Sequence, residues 1–177
     1  MAIGALVLGA CGTGGDSAGG EAQPAEAATA SPTTASAPAE NEALQAFADA
    51  ATVDGSAFDV AALAGRDTVA WFWAPWCVIC GGEGPDVADV ADRYGDQATI
   101  LGVAGRGELD DMATFVDNTG TGGFPHLADL DGTIWASFGI YSQPAYAFID
   151  DDGTVEVWIG SLGADALAER IDTLVAS

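Results

Sequence analysis

One ten-residue stretch constrains this chain most: residues 71–76, four of which are aromatic, run directly into Cys77-Val78-Ile79-Cys80. The aromatic part favours a buried strand, and apolar residues at helical spacing follow Cys80, so the pattern predicts strand, Cys-x-x-Cys and helix. Cys77 then lies at a helix N-terminus, where unpaired N–H groups and the helix dipole stabilise a thiolate. Cys80 lies one turn later on the same face, close enough to form a disulfide with Cys77 or to resolve a mixed disulfide.

Two other roles for a Cys-x-x-Cys pair are a zinc site and an inert structural disulfide. A zinc site needs about four nitrogen or sulfur ligands, and the only other cysteine and histidine in the chain are Cys11 and His126. The composition therefore favours redox chemistry, and no metal site and no cofactor beyond the redox-active disulfide are predicted.

The charge of the chain excludes several classes of partner. Its 177 residues suit one folded domain, and 27 acidic residues against four basic ones give a net charge of −23. Such a surface repels nucleic acids and anionic lipid headgroups. It is typical of a soluble acidic protein, and it would also attract cationic partner proteins.

The residues around the cysteines resemble a known family. An apolar strand followed by Trp-Cys-x-x-Cys is similar to the signature of the thioredoxin fold. The longer form Trp-Cys-x-x-Cys-x-x-Glu-x-Pro, from Trp76 to Pro85, resembles the extracytoplasmic TlpA/ResA/DsbE branch. The resemblance covers about residues 42–177 and implies an α/β, thioredoxin-like fold, in which a central mixed β-sheet flanked by helices is built as a βαβ half followed by a ββα half.

Hydrophobic periodicity and turn residues give a compatible order of elements along that domain. The expected order is a short helix near 44–48, a strand and turn over 58–64, a buried strand over 68–73, a helix to about 94, a second buried strand over 98–103, a helix over 109–116, a turn within 124–132, a short helix over 134–138, strands over 146–149 and 155–159, and a closing helix over 165–175.

The resemblance also implies roles for individual residues. Cys77 matches the exposed attacking cysteine of the family and Cys80 its buried resolving partner. Pro144 stands where the family has a cis proline beside the disulfide. Gln143 would offer its backbone to an extended substrate while its side chain is a spectator, and Trp76 would lie beside the sulfurs.

Roles are also expected for four further residues. Glu83 aligns with the acid of the extended motif and would tune proton exchange at the thiols; a solvated first-turn glutamate is the alternative. Trp71 occupies the place where thioredoxins often carry a buried acid, so a proton shuttle from that position is not expected. Trp73 is expected in the core, and His126 is expected to be a loop or partly buried structural residue.

The N-terminal part has a different character. Leu8-Gly9-Ala10-Cys11 resembles a bacterial lipobox, so residues 1–11 are interpreted as a lipoprotein signal remnant with Cys11 as the lipidation site. No basic residue precedes it, and we expect the signal to begin upstream of Met1. Residues 12–41 are rich in Gly, Ala, Ser, Thr and Pro and lack large apolar residues, which predicts a disordered linker.

These observations together predict a monomeric, lipid-anchored thiol:disulfide oxidoreductase of the cell envelope. Its partners would be cysteine-containing exported proteins and a membrane redox partner. An oxidising compartment favours oxidative folding, with a cytochrome-maturation-type reductase as the alternative. A Cu(I) metallochaperone that uses Cys77, Cys80 and His126 is a second alternative. A thiol peroxidase is disfavoured because the lead-in to Cys77 lacks the threonine that such enzymes carry.

Overall fold

The computed structural model describes residues 42–177. The expected domain therefore lies within the described part. The expected signal remnant over 1–11 with Cys11, and the expected linker over 12–41, lie outside it.

A five-stranded mixed sheet forms the centre of the domain. Its strands run in the spatial order β3-β2-β1-β4-β5. β1 is parallel to β2 and β2 to β3, whereas β4 is antiparallel to both β1 and β5. The strands are β1 (Thr68–Trp73), β2 (Thr99–Gly105), β3 (His126–Asp129), β4 (Ala145–Ile149) and β5 (Val155–Ile159).

Helices cover both faces of this sheet. They are α1 (Glu42–Gln45), α2 (Val78–Tyr94), α3 (Leu109–Thr119), α4 (Thr133–Ser137) and α5 (Ala164–Leu174), with a 3-10 helix over Val60–Leu63. The apolar sides of α2, α3 and α5 share one core cluster with Val69, Trp71 and Trp73 of β1. The residues between them, Ala70 and Phe72, face a second cluster with α1, the 3-10 helix and α4. The sheet is therefore the middle layer of three, which confirms the predicted fold class.

Local interactions explain where two of these helices begin and end. The buried Asp129 carboxylate accepts hydrogen bonds from the backbone N–H groups of Ile134 and Trp135, at 3.1 and 2.8 Å, so it holds the start of α4. Helix α3 ends at Gly120, whose φ of 70° is the left-handed conformation that glycine adopts without strain. The end of α3 at Gly120 returns the chain to the sheet at β3, and α4 leads it to β4.

The structure differs from the expected elements in two places. Residues 58–64 form no strand, because the Asp59 carboxylate accepts a hydrogen bond from Ala61 N at 3.1 Å and caps the 3-10 helix instead. Part of the expected turn within 124–132 is strand β3, which pairs in parallel with Gly102–Gly105 of β2. His126 is therefore a buried strand residue rather than a loop residue. None of the helices within residues 42–177 is long and apolar enough to cross a membrane.

Candidate active site

The two cysteines lie where β1 gives way to α2. Cys77 is the N-cap of α2, its Sγ accepts a hydrogen bond from Cys80 N at 3.1 Å, and the two residues form a disulfide with their Cα atoms 5.3 Å apart. Cys77 keeps 8% of its surface exposed and Cys80 keeps none. A reagent from solvent can therefore approach only the first sulfur of the pair.

An apolar rim and a groove adjoin Cys77. Trp76 is 60% exposed and Val78 88% exposed, although both are large apolar residues. A groove of about 580 Å³ between the start of α2 and one side of α3 is lined by Cys77 and these two residues. Its remaining lining residues are Pro75, Gly81, Asp111, Thr114, Phe115, Asn118 and Thr119. Exposed apolar side chains around a reactive group are typical of a surface that binds another protein.

The segment before β4 adjoins the same end of β1. The Gln143–Pro144 peptide bond is cis and Pro144 is buried. Ala145, the next residue, pairs with Phe72 of β1, which brings this segment beside the lead-in to Cys77. The side chain of Gln143 is held within the protein, where its Oε1 accepts a hydrogen bond from Arg106 Nη1 at 3.1 Å.

Arg106 is the site residue that the sequence did not point to. It lies between β2 and α3, and its backbone oxygen accepts a hydrogen bond from Trp76 Nε1 at 2.7 Å. It is the one non-glycine residue with a positive φ among residues 42–177. The only hint in the sequence is a single basic residue between two glycines, in a chain with four basic residues in all.

Glu83 lies on α2 one turn beyond Cys80 and is 5% exposed. Its Oε1 accepts a hydrogen bond from Trp71 Nε1 at 2.8 Å, and its Oε2 accepts one from Ser161 Oγ. Burial raises the pKa of this carboxyl, and the hydrogen bonds from Ser161 and Trp71 oppose that rise. The solvated alternative for Glu83 is therefore wrong. α2 supplies a buried acid that contacts Trp71, the residue standing where thioredoxins often have their own acid.

The hydroxyl group of Tyr146 shares this enclosed space. Burial, followed by the nearby charge of Glu83, raises the pKa of Tyr146. Within the described domain this hydroxyl makes no hydrogen bond of normal geometry, and it is the one buried side-chain oxygen or nitrogen there of which this is true. A buried phenol beside a carboxylate can donate a hydrogen bond to it.

Trp73 and His126 form a structural pair behind the site. Trp73 is fully buried, stacks on Phe115 of α3 with ring centroids 4.1 Å apart, and donates from Nε1 to His126 Nδ1 at 3.2 Å. The other ring nitrogen, Nε2, donates to Thr121 O at 2.9 Å. Burial lowers the pKa of His126 to about 4, so the ring is neutral at pH 7. Because both nitrogens are engaged, His126 does not offer a lone pair to a metal ion held by Cys77 and Cys80.

Potential metal ligands gather elsewhere in the described residues. Among residues 42–177, one group of three side chains could hold a metal ion: Asp67, Asp150 and Asp151. This group lies beside the beginning of β1. Cys77 lies beyond the other end of that strand.

This sheet, with a disulfide at the start of the helix that follows its central strand, is the arrangement of the thioredoxin-like thiol:disulfide oxidoreductases. Comparison with known proteins supports this assignment. The sequence model of the AhpC/TSA family matches residues 37–158, and the chain belongs to that family. It is a thiol:disulfide oxidoreductase whose relatives include DsbE-like and DsbF-like enzymes.

Three similar proteins show how far the likeness extends. The soluble secreted antigen MPT53 of Mycobacterium tuberculosis is 36% identical over 130 residues, which are 72% of this chain and 74% of the antigen. The structure of MTB DsbF in its mixed oxidized and reduced forms has 43% identity and a TM-score of 0.69, covering 74% of this chain and 97% of DsbF. A secreted Mycobacterium tuberculosis disulfide oxidoreductase homologous to E. coli DsbE has 34% identity and a TM-score of 0.67, covering 73% and 98% of the two chains.

The buried Glu83 carboxyl predicts a particular pH dependence of stability. Its folded pKa lies above its unfolded pKa, so the native state binds the proton more tightly than the unfolded state does. The contribution of Glu83 to the free energy of unfolding is therefore most favourable below the unfolded pKa and declines as the pH rises through the folded pKa. Each unit of pKa difference corresponds to about 1.4 kcal/mol.

Glu83→Gln tests this dependence because glutamine keeps the shape, accepts from Trp71 and donates to Ser161. Denaturant unfolding of the oxidised proteins from pH 4 to pH 8 gives the free energy of unfolding of each. We expect the stability of the wild type relative to Glu83→Gln to fall as the pH rises. A difference that stays constant over this range, or grows with pH, would show that burial does not raise the pKa of this carboxyl.

Proposed function

We propose that this protein exchanges disulfides with cysteine-containing exported proteins outside the cytoplasm, and that Cys77 is the sulfur that bonds to the client. The difference between the two cysteines carries the proposal. Cys77 lines a groove with an apolar rim, whereas Cys80 is enclosed directly behind it. A client can therefore form a mixed disulfide with the first sulfur while the second waits within reach.

The first step begins from the reduced enzyme and a client disulfide. The Cys77 thiolate attacks one client sulfur, a Cys77–client bond forms, and the client S–S bond breaks with the electron pair leaving on the other client sulfur. The N-terminus of α2 favours the thiolate form of Cys77, because the N–H of Cys80 points at Sγ.

In the second step Cys80 attacks Cys77 Sγ. The Cys80 thiol must lose its proton first, and the buried carboxyl of Glu83, one helical turn further along α2, would take it. The Cys77–Cys80 bond forms, the client leaves as a thiolate, and the client is reduced by two electrons while the enzyme is oxidised. The reverse sequence oxidises a client dithiol, and Glu83 then returns the proton to Cys80.

The favoured direction is oxidation of clients, because disulfides form and persist in extracytoplasmic compartments. A membrane redox partner would then remove the two electrons left on Cys77 and Cys80. A cytochrome-maturation-type reductase, the alternative, would instead reduce client disulfides by the two steps in the order first described. Secretion of the relative MPT53, as its name states, supports the extracytoplasmic location.

A lipid anchor at Cys11 completes the proposal. The small residues of Leu8-Gly9-Ala10 before the cysteine, and the polar stretch that follows it, support lipidation. The anchor would hold the domain at the cell envelope through residues 12–41.

Trapping of mixed disulfides tests the roles of the two cysteines. In Cys80→Ser, Cys77 can attack a client disulfide but nothing resolves the product, so a protein–client adduct should accumulate. In Cys77→Ser the remaining thiol is enclosed, so we expect about tenfold less adduct or none. Non-reducing electrophoresis followed by mass spectrometry measures both.

Cys11→Ser is the control, because it removes a cysteine outside the pair and should trap nothing beyond the wild-type level. Adduct formation by Cys77→Ser that equals or exceeds that of Cys80→Ser would reverse the assigned roles.

Lipidation is tested by expressing the natural gene in a bacterium that processes lipoproteins. The wild type should fractionate with membranes and carry the mass of acyl chains on its N-terminal cysteine. Cys11→Ser should appear in the soluble fraction, with its Cys77–Cys80 chemistry intact. A wild-type protein that is soluble and has no acyl mass would exclude the anchor.

A further inference from the structure

Arg106 occupies a backbone position that is unfavourable for it. It lies in the sequence Gly105-Arg106-Gly107 between β2 and α3, with a φ of 58°. Residues with a side chain adopt this left-handed conformation at a cost, whereas glycine adopts it freely. A glycine would therefore complete the turn with less strain. An arginine here indicates that its side chain does something the turn itself does not need.

The guanidinium group joins this turn to the segment before β4. Nη1 donates to Gln143 Oε1 at 3.1 Å and Nη2 donates to Tyr141 O at 2.9 Å. The same group lies over the ring of Trp135 in α4, with Cζ 4.7 Å from the ring centroid. A planar group with several donors in fixed directions can make all three contacts at once, and a lysine ammonium group cannot.

The backbone of Arg106 joins the same turn to the other side of the site. Its carbonyl oxygen accepts from the indole of Trp76, the residue that directly precedes Cys77. One residue thus contacts both the lead-in to the disulfide and the residues that precede the cis proline. These two segments meet at the end of β1, where Phe72 pairs with Ala145.

We propose that Arg106 is a positioning residue, which fixes the Tyr141–Gln143 segment relative to Trp76 so that an extended client chain finds a preformed docking edge beside Cys77. This inference rests on the proposed function, since it concerns how a client polypeptide reaches the attacking sulfur. A small disulfide needs only Cys77 and makes little use of that edge. Preorganisation of this kind lowers the ordering cost that a flexible client otherwise adds to binding.

The test compares two disulfides that release the same thiol. The first is an unstructured peptide whose single cysteine is joined to thionitrobenzoate, and the second is dithiobis(nitrobenzoate). Stopped-flow measurement of the coloured thiolate gives a second-order rate constant of the reduced enzyme with each. The quantity of interest is the ratio of the peptide rate constant to the small-molecule rate constant.

Arg106→Gly removes the side chain and also relieves the backbone, so it is the variant expected to fold. We expect its rate ratio to fall about tenfold below that of the wild type, in line with the effect of losing hydrogen bonds from a charged group. Arg106→Lys keeps the charge but not the planar fork, and its ratio should fall as well. Thermal unfolding of each variant reports any change in stability separately.

Arg66→Ala is the matched control. Arg66 is an exposed arginine that also makes two hydrogen bonds, to Thr99 Oγ1 at 2.9 Å and Gly95 O at 3.3 Å. It precedes β1 and so lies at the end of that strand away from the disulfide. Its removal changes the net charge equally and should leave the ratio unchanged.

The possible outcomes test the positioning role of Arg106 and the proposed function separately. A wild-type ratio in folded Arg106→Gly, or full rescue by Arg106→Lys, overturns the positioning role and leaves the proposed function standing. An equal fall in Arg66→Ala shows that net charge is responsible, which also overturns it. A Cys80→Ser enzyme that forms no adduct with the peptide through Cys77 contradicts the proposed function itself.

Discussion

Complete burial of β1 is the constraint on which the rest of the structure depends. All six residues of Thr68–Trp73 are buried, and the strand has a hydrogen-bonded neighbour on each edge. Each face therefore needs its own apolar layer, which α2, α3 and α5 supply on one side and α1 and α4 on the other. β1 ends at Trp73, and the chain then enters α2, whose N-cap is Cys77. The position of the disulfide follows from the burial of the strand before it.

The same burial determines the chemistry behind the disulfide. Trp71 faces the core that α2 covers, and its indole N–H needs an acceptor there because an unpaired buried donor is costly. Glu83 supplies that acceptor at 2.8 Å, and the carboxyl loses solvent in doing so. The buried acid therefore comes from the helix that carries the cysteines, and a tryptophan on the strand holds it in place. Ser161 binds the other carboxylate oxygen from an exposed position, which links the acid to the surface.

The elements with strong periodicity were predictable from the sequence, and those set by single polar contacts were not. The predicted range of β1 agrees with the structure, because a continuous apolar run of that length has few alternatives. The strand predicted over 58–64 was wrong because the carboxylate of Asp59 caps a 3-10 helix there. β3 was missed because it has four residues, and it exists through pairing with β2 rather than through its own pattern. Among the site residues, motif spacing located Cys77, Cys80 and Glu83. Arg106 was missed because its partners, Trp76 and Gln143, are 30 and 37 residues away in the chain.

The reactivity of the site depends most directly on Cys77 being a stabilised thiolate at the N-terminus of α2. The measurement that tests it is the pH titration of thiolate ultraviolet absorbance in the reduced protein, with Cys80→Ser and Cys77→Ser to assign each transition. We expect the pKa of Cys77 to lie below the free-cysteine value of about 8.5, and that of the enclosed Cys80 to lie above the pKa of Cys77. A Cys77 pKa at or above the free value, or a Cys80 that ionises first, would contradict the account.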